Sequence, residues 1–172
     1  MLPPVHTQRM TLIPSTADLV DAELLGADVL ARELGVKVSP DWPPDEMRAV
    51  LEFFADQLRY NPNQEGWRGW YWIANDLPVP EMVGNGGFKG PPDPLGQVEI
   101  GYEVLDPFRG RGYATEAVQA MVRWALDLAD VDTVVAECLP ENVASQRVLS
   151  KAGFVETGDG LEEGTRLWQW RG

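Results

Sequence analysis

The run Arg109-Gly110-Arg111-Gly112-Tyr113-Ala114 is the stretch of this chain whose residue types and spacing best suit chemistry. Two glycines let a loop turn its backbone N–H groups around a phosphate, and two arginines bring positive charge beside them. A strand-like run, Val98 to Leu105, precedes the loop, and an amphipathic run, Gly112 to Leu128, follows it. A helix starting there adds N–H groups with no intrahelical acceptor and the positive end of its dipole. The loop therefore predicts a ligand that carries a pyrophosphate.

Three other chemistries fit less well. A dinucleotide-binding turn wants Gly-X-Gly-X-X-Gly, whereas this chain has Gly110-X-Gly112-X-X-Thr115 and lacks the glycine that packs helix against strand. Asp132 does lie about where a ribose-binding acid would sit. However, meander-like strands precede the loop in place of a βαβ series, which disfavours a nicotinamide-dependent oxidoreductase. No Gly-Lys-Ser/Thr is present for a P-loop. His6 is the only histidine and Cys138 the only cysteine, so a histidine-assisted nucleophile would have to use a chain end, and no cysteine zinc cluster can form.

The elements that must position the loop are readable from periodicity. Arg9 to Ile13 predicts a first strand, and Ser15 or Thr16 can cap a helix running to about Leu34. Pro44 opens a second helix carrying Met47, Val50, Leu51, Phe54 and Leu58 on one face. Trp70 to Ala74 and Met82 to Phe88 read as strands. In the next strand Val98, Ile100, Tyr102 and Val104 face one way, and Glu99, Gly101 and Glu103 the other. The helix after the loop buries Ala114, Ala117, Val118, Met121 and Ala125. Thr133 to Cys138 predicts a buried strand, Asn142 caps a helix of about ten residues ended by Gly153, and 154–157 with 166–170 form a closing hairpin. Without repeat or linker, the 172 residues read as a single mixed α/β (α+β) domain, 1–172.

Arg109-X-X-Gly112-X-Ala114 resembles the Arg/Gln-X-X-Gly-X-Gly/Ala signature of the GNAT N-acetyltransferase superfamily. Glu99-Ile100-Gly101-Tyr102 and Gly112-Tyr113-Ala114-Thr115-Glu116-Ala117 resemble its RimJ/RimL-type branch. Asn142-X-X-Ser145-X-X-Val148-Leu149-X-Lys151-X-Gly153-Phe154 resembles the second half of that family's site. The resemblance implies a central, mixed, mostly antiparallel sheet of about six to seven strands with about four flanking helices. It also implies acetyl-CoA as donor, a primary amine as acceptor (a protein N-terminus or a small amine), no metal, and a homodimer as an option.

Residue by residue, the resemblance places the pyrophosphate on Arg109, Gly110, Arg111, Gly112, Tyr113, Ala114 and Thr115. The pantetheine arm then pairs along the backbone of Tyr102, Glu103 and Val104, as an extra strand would. Asn142 reads as a helix cap and, alongside that, as a hydrogen-bond partner of cofactor or acceptor. Ser145 is either an ordinary first-turn residue or the group that faces the thiol. Many relatives carry a tyrosine seven residues after the asparagine, as acid for the leaving thiolate; here Leu149 stands there and cannot donate a proton. Lys151 and Arg147 read as charge near the nucleotide or as a solvated helix face.

An amine is mostly protonated at neutral pH, so the reaction needs a proton sink. Glu99 is the candidate base, with Glu103 on the same strand face; the alternative is that both only face solvent. Cys138 reads as a small buried hydrophobe. Trp42, Trp67, Trp70 and Trp72 either line an acceptor pocket or belong to the core.

The net charge of −13 excludes a general nucleic-acid binder, which needs a basic face, and makes the loop arginines a local exception. The acidity serves solubility or draws in a cationic amine. No apolar run reaches the roughly 18 residues of a membrane span, and Met1 to Met10 lacks a signal peptide's apolar segment. One cysteine fits a reducing cytoplasm. Two readings of different class follow: an acetyltransferase, or a GNAT-like module that binds CoA without catalysis.

Overall fold

The computed structural model describes residues 2–172. They form two compact units, one ending at Asn85 and the other running Gly86–Gly172.

In the first unit a two-residue strand, β1 (Val5–His6), pairs antiparallel with β2 (Met10–Pro14), and β2 with β3 (Trp70–Ala74). The expected helix from residue 16 to 34 is two helices, α1 (Ala17–Leu25) and α2 (Ala27–Leu34). Thr16 caps α1 by accepting the Leu19 N–H at 3.3 Å. Gly26, at φ 130°, ends α1 and starts α2; this conformation is open to glycine but strained for other residues, so the helix breaks there. A single 3₁₀ turn, Asp45–Met47, leads into α3 (Arg48–Tyr60). Val20 of α1 packs on Leu51, Ala55 and Leu58 of α3, with Met47 and Phe54 against them; of the face read from spacing, Val50 is instead exposed. Every residue of β3 is buried. Trp42, Trp67, Trp70 and Trp72 are core residues of this unit.

β4 (Glu81–Phe88) runs through the boundary, and Lys37 bridges to its first residue. The second unit holds β5 (Gln97–Val104), α4 (Tyr113–Leu126), β6 (Thr133–Cys138), α5 (Val143–Ala152), β7 (Phe154–Asp159) and β8 (Arg166–Trp170). Its strand order is β5-β6-β8-β7. β5 and β6 are parallel, and the β6–β8 and β7–β8 pairs are antiparallel. Parallel neighbours need a crossover, and α4 supplies it. α4 buries Tyr113, Ala117, Val118, Met121 and Ala125, with Tyr113 and not the half-buried Ala114 at its first turn. Eight strands and five α-helices are present among the described residues, one or two strands and one helix more than expected. β1 is too short to read from alternation, and Gly26 accounts for the extra helix.

Candidate active site

Everything in the site follows from where β5 and β6 part. Their parallel register runs only from Gln97↔Thr133 to Glu99↔Val135. Both strands continue, β5 to Val104 and β6 to Cys138. β6 turns its later residues to β8, pairing Cys138 with Arg166. The end of β5 thus faces open space, and a cavity of about 670 Å³ lies along Tyr102, Glu103 and Val104.

Two helices begin at this cavity. Gly112 sits at φ 83° as the residue before α4 and offers no capping side chain, so no N-cap side chain covers the first turn of α4. Tyr113, Ala114 and Thr115 of that turn line the cavity, as do Gly110 and Gly112. A side chain at Gly110 would have room, so the demand there is conformational: φ is 75°. α5 begins opposite, with Asn142, Ala144 and Ser145 on the cavity wall. Both helix dipoles place positive potential at one spot.

The cations are arranged differently from the sequence reading. Arg109 lines the cavity, yet its Nε donates to Val104 O at 3.0 Å and its guanidinium pairs with Asp106 at 2.9 Å. It fastens the loop to the end of β5. Arg111 is outside the cavity lining and stacks over the Phe108 ring at 5.7 Å. Arg147 and Lys151, one turn apart on α5, complete the basic wall. Asp132, the residue a dinucleotide reading would use, packs at Gly96, where a Cβ would collide with its carboxylate.

Asn142 caps α5: its Oδ1 accepts the Ser145 N–H at 3.1 Å. That bond leaves the amide NH₂ for another acceptor. The Tyr102 hydroxyl lies 2.9 Å from Ser145 Oγ and donates toward Ser145 O at 3.3 Å. Burial pushes the Tyr102 phenol up to about 12, against a partly opposing hydrogen bond from Ser145. The Cys138 thiol, also raised by burial, is hydrogen-bonded to Ser145. Leu149 is fully buried in the core, so that position brings no hydroxyl to the site.

A second cavity of about 300 Å³ shares Tyr102, Asn142 and Ser145 with the first. Its other walls include Gly101, Cys138, Glu137, Glu162 and Thr165. These acids escaped the sequence reading. Glu137 carried the only signal, a carboxylate inside a β-branched, buried run. Its carboxylate accepts from Thr165 Oγ1 at 2.6 Å, Leu161 N at 2.8 Å and Glu162 N at 3.1 Å, which pins the β7–β8 loop. Burial alone would raise it, but these donors outweigh burial and hold it below the ordinary carboxylate range.

Glu99 lines neither cavity. Its carboxylate meets Lys89 Nζ at 2.7 Å, and Glu162 meets the same ammonium at 2.6 Å. Burial pulls Lys89 down, yet the bonds to Glu162 and Glu99 prevail and raise it, so the lysine stays charged. The expected partners of the loop therefore come together, except Arg111 and Glu99.

The geometry agrees with what comparison finds. The family model described as "Acetyltransferase (GNAT) domain" matches residues 9–155. The chain is 32% identical over 151 residues to an uncharacterized N-acetyltransferase, YjdG, of Bacillus subtilis strain 168, covering 88% of this chain and 89% of that one. A solved acetyltransferase from Agrobacterium tumefaciens superposes with TM-score 0.68 at 20% identity, covering 100% of this chain and 96% of the other. A RimL ribosomal L7/L12 alpha-N-protein acetyltransferase, solved with coenzyme A, gives 0.66 at 18% identity, covering 97% of each. The chain belongs to the GNAT acetyltransferase family.

Proposed function

We propose that this chain moves the acetyl group of acetyl-CoA to a primary amine, a protein N-terminus or a small amine, by direct attack in a ternary complex. One observation carries the reading: two helix N-termini and the side chains of Arg109, Arg147 and Lys151 converge on one cavity of a chain whose net charge is −13. Such a cavity suits a pyrophosphate and little else in an otherwise acidic protein. Both units serve one domain, 1–172, and the family match running through their boundary supports this. A reducing cytoplasm suits its single thiol, Cys138.

In this reading Gly110, Gly112 and the first-turn N–H groups of Tyr113, Ala114 and Thr115 hold the pyrophosphate. Lys151 and Arg147 neutralise the remaining phosphate charge, and Arg109 acts chiefly by holding the loop to Val104. Arg111, stacked on Phe108, stiffens the loop. The backbone of Tyr102, Glu103 and Val104 takes the amide-bearing arm as a strand edge would, and an N–H there steadies the thioester oxygen as charge develops. The acceptor enters through the second cavity, whose walls carry Glu137 and Glu162. Asn142 and Ser145, common to both cavities, meet the reacting groups.

The amine must lose a proton. Glu99 is held by Lys89, so it receives that proton through water and not by direct contact. Glu99→Gln should lower turnover, with acetyl-CoA affinity intact. Wild-type turnover would remove Glu99 from the path.

Calorimetric titration with acetyl-CoA, with NADH as control, tests the reading as a whole. Saturable binding of acetyl-CoA alone, followed by amine-dependent release of thiol, is the expected result. Binding without thiol release across protein N-terminal peptides and small amines would favour the second reading, a CoA-binding module without catalysis, which Leu149 in the core keeps in view. No binding by folded protein would sink both.

A further inference from the structure

The second cavity is a slot between the parting strands: Ile100, Gly101 and Tyr102 line it from β5, and Ala136, Glu137 and Cys138 from β6. We propose that Gly101 determines which amine can be the acceptor. The side chain it lacks leaves room for a substituent on the carbon that bears the amine, as in an α-amino amide or a protein N-terminus. The inference rests on the acetyl-transfer reading above.

A glycine inside a strand weakens it, so its presence there needs a reason. The usual reasons are a bend or bulge whose conformation is closed to other residues, a neighbour too close for a Cβ, or a ligand that comes close. Gly110 shows the first, with φ at 75°, and Gly160 the second, because a Cβ there would collide with Thr165 and with the Glu137 carboxylate. Gly101 shows neither. Its φ lies outside the left-handed region, and a Cβ built on it meets no atom within 4 Å. It is exposed, inside β5, and just past the end of the register with β6 at Glu99↔Val135. The approach of a ligand is the reason that remains.

Its place in β5 says which ligand. Successive strand side chains point to opposite faces. Tyr102 sends its hydroxyl to Ser145, 2.9 Å from Oγ. A side chain at position 101 would stand on the other face, with Glu99 two residues before it and the Glu99 carboxylate held by Lys89 at 2.7 Å. Gly101 thus opens the face of β5 that carries the proton sink, one residue before the backbone that takes the pantetheine arm. The slot is fixed on its other side, because Glu137 of β6 accepts from Leu161 N at 2.8 Å and Thr165 Oγ1 at 2.6 Å. An amine that reaches the thioester past Gly101 therefore gains its room from the missing side chain. A substituent next to the nitrogen would strike a Cβ at position 101, whereas an unbranched CH₂ passes more easily.

The test measures amine-dependent thiol release from acetyl-CoA with two isomers, L-alaninamide and β-alaninamide. They hold the same atoms, but only in the first does the amine-bearing carbon carry a substituent on each side. The wild type should show the higher kcat/KM with L-alaninamide. Gly101→Val should shift the ratio of the two kcat/KM values about tenfold toward β-alaninamide, the size of one methylene's fit in a pocket. Gly101→Ala should shift it the same way and less. Both amides are measured on one sample, so an unfolded fraction cancels in the ratio. Neither variant should be less stable in urea, because the added atoms meet open space and glycine is the poorer strand residue. A ratio that stays at the wild-type value in both variants, or a wild type that prefers β-alaninamide, overturns the proposal and leaves acetyl transfer standing. A folded wild type that binds acetyl-CoA and releases no thiol with either amide also overturns it. If N-terminal peptides and other small amines are silent as well, the transfer reading falls with it.

Discussion

Glu23 in the first unit and Glu137 in the second are both held by hydrogen-bond donors, and the two are shifted in opposite directions. Glu23 of α1, 2% exposed, accepts from Trp42 Nε1 at 2.7 Å and from the Tyr71 hydroxyl at 2.6 Å. Burial raises it, and its two donors only partly offset this. Tyr71 in turn is pushed well above its usual value by burial and by that carboxylate. Glu137 of β6 lies nearer the surface, and its three donors, two of them backbone N–H groups of the β7–β8 loop, lower it despite the burial it has. Depth and donor number decide the sign. The role differs accordingly. Glu23 lines neither cavity and closes a core, whereas Glu137 lines the second cavity and shapes the loop around it.

The largest effect should come from opening the closed cluster. Glu23→Ala leaves the Trp42 and Tyr71 donors buried without their acceptor, and each such loss costs about 1–3 kcal/mol. Urea denaturation should show a loss of about 3 kcal/mol in all. Acetyl-CoA affinity, measured under conditions where the variant is folded, should not change. Weakened binding in step with lost stability would erase the division between a structural and a functional carboxylate.

Glu137→Gln should do the reverse at smaller size. One side-chain oxygen cannot replace two that serve three donors, so the 160–165 loop loosens. Stability should fall by about 1 kcal/mol. The KM for the amine acceptor should rise several-fold while the Kd for acetyl-CoA stays put, because Glu137 belongs to the second cavity alone. An unchanged KM would make the loop a bystander.

The same contrast explains what the sequence revealed. The glycine loop and the capping Asn142 were legible because their residue types serve local backbone needs: φ values of 75° and 83° at Gly110 and Gly112, and an N–H to satisfy at Ser145. β3, β6, α4 and α5 followed from spacing for the same reason. The second cavity was not legible, because it depends on contacts far apart in sequence. Glu137 finds its donors 24 to 28 residues away, and Glu99 lies ten residues from the Lys89 that binds it and far from the Glu162 that shares it. Strand alternation put Glu99 on the right face and could not say that a lysine waits there. Arg109 likewise looked like a phosphate ligand by type, and only the fold shows its bonds to Val104 and Asp106.

The smallest expected effect is also the most direct reading of the comparison, because it concerns a sign. Glu23 has a raised value when folded, so the native state binds its proton more tightly than the unfolded chain does. Its contribution is fully present below the unfolded value of about 4.3 and is lost as pH rises through the folded one. Glu137 has a lowered value, so its contribution is present above the unfolded value and is lost as pH falls through the folded one. Neither Glu23→Gln nor Glu137→Gln can titrate at the substituted position. The stability gap between wild type and Glu23→Gln should therefore narrow as pH rises from 4 toward 7, and the gap for Glu137→Gln should narrow as pH falls from 6 toward 3. All other groups are common to each pair and cancel in the difference. Urea midpoints across that range give both gaps. Slopes of the same sign would mean that depth and donor number do not decide how these two carboxylates behave, and the division between them would have to rest on the cavity alone.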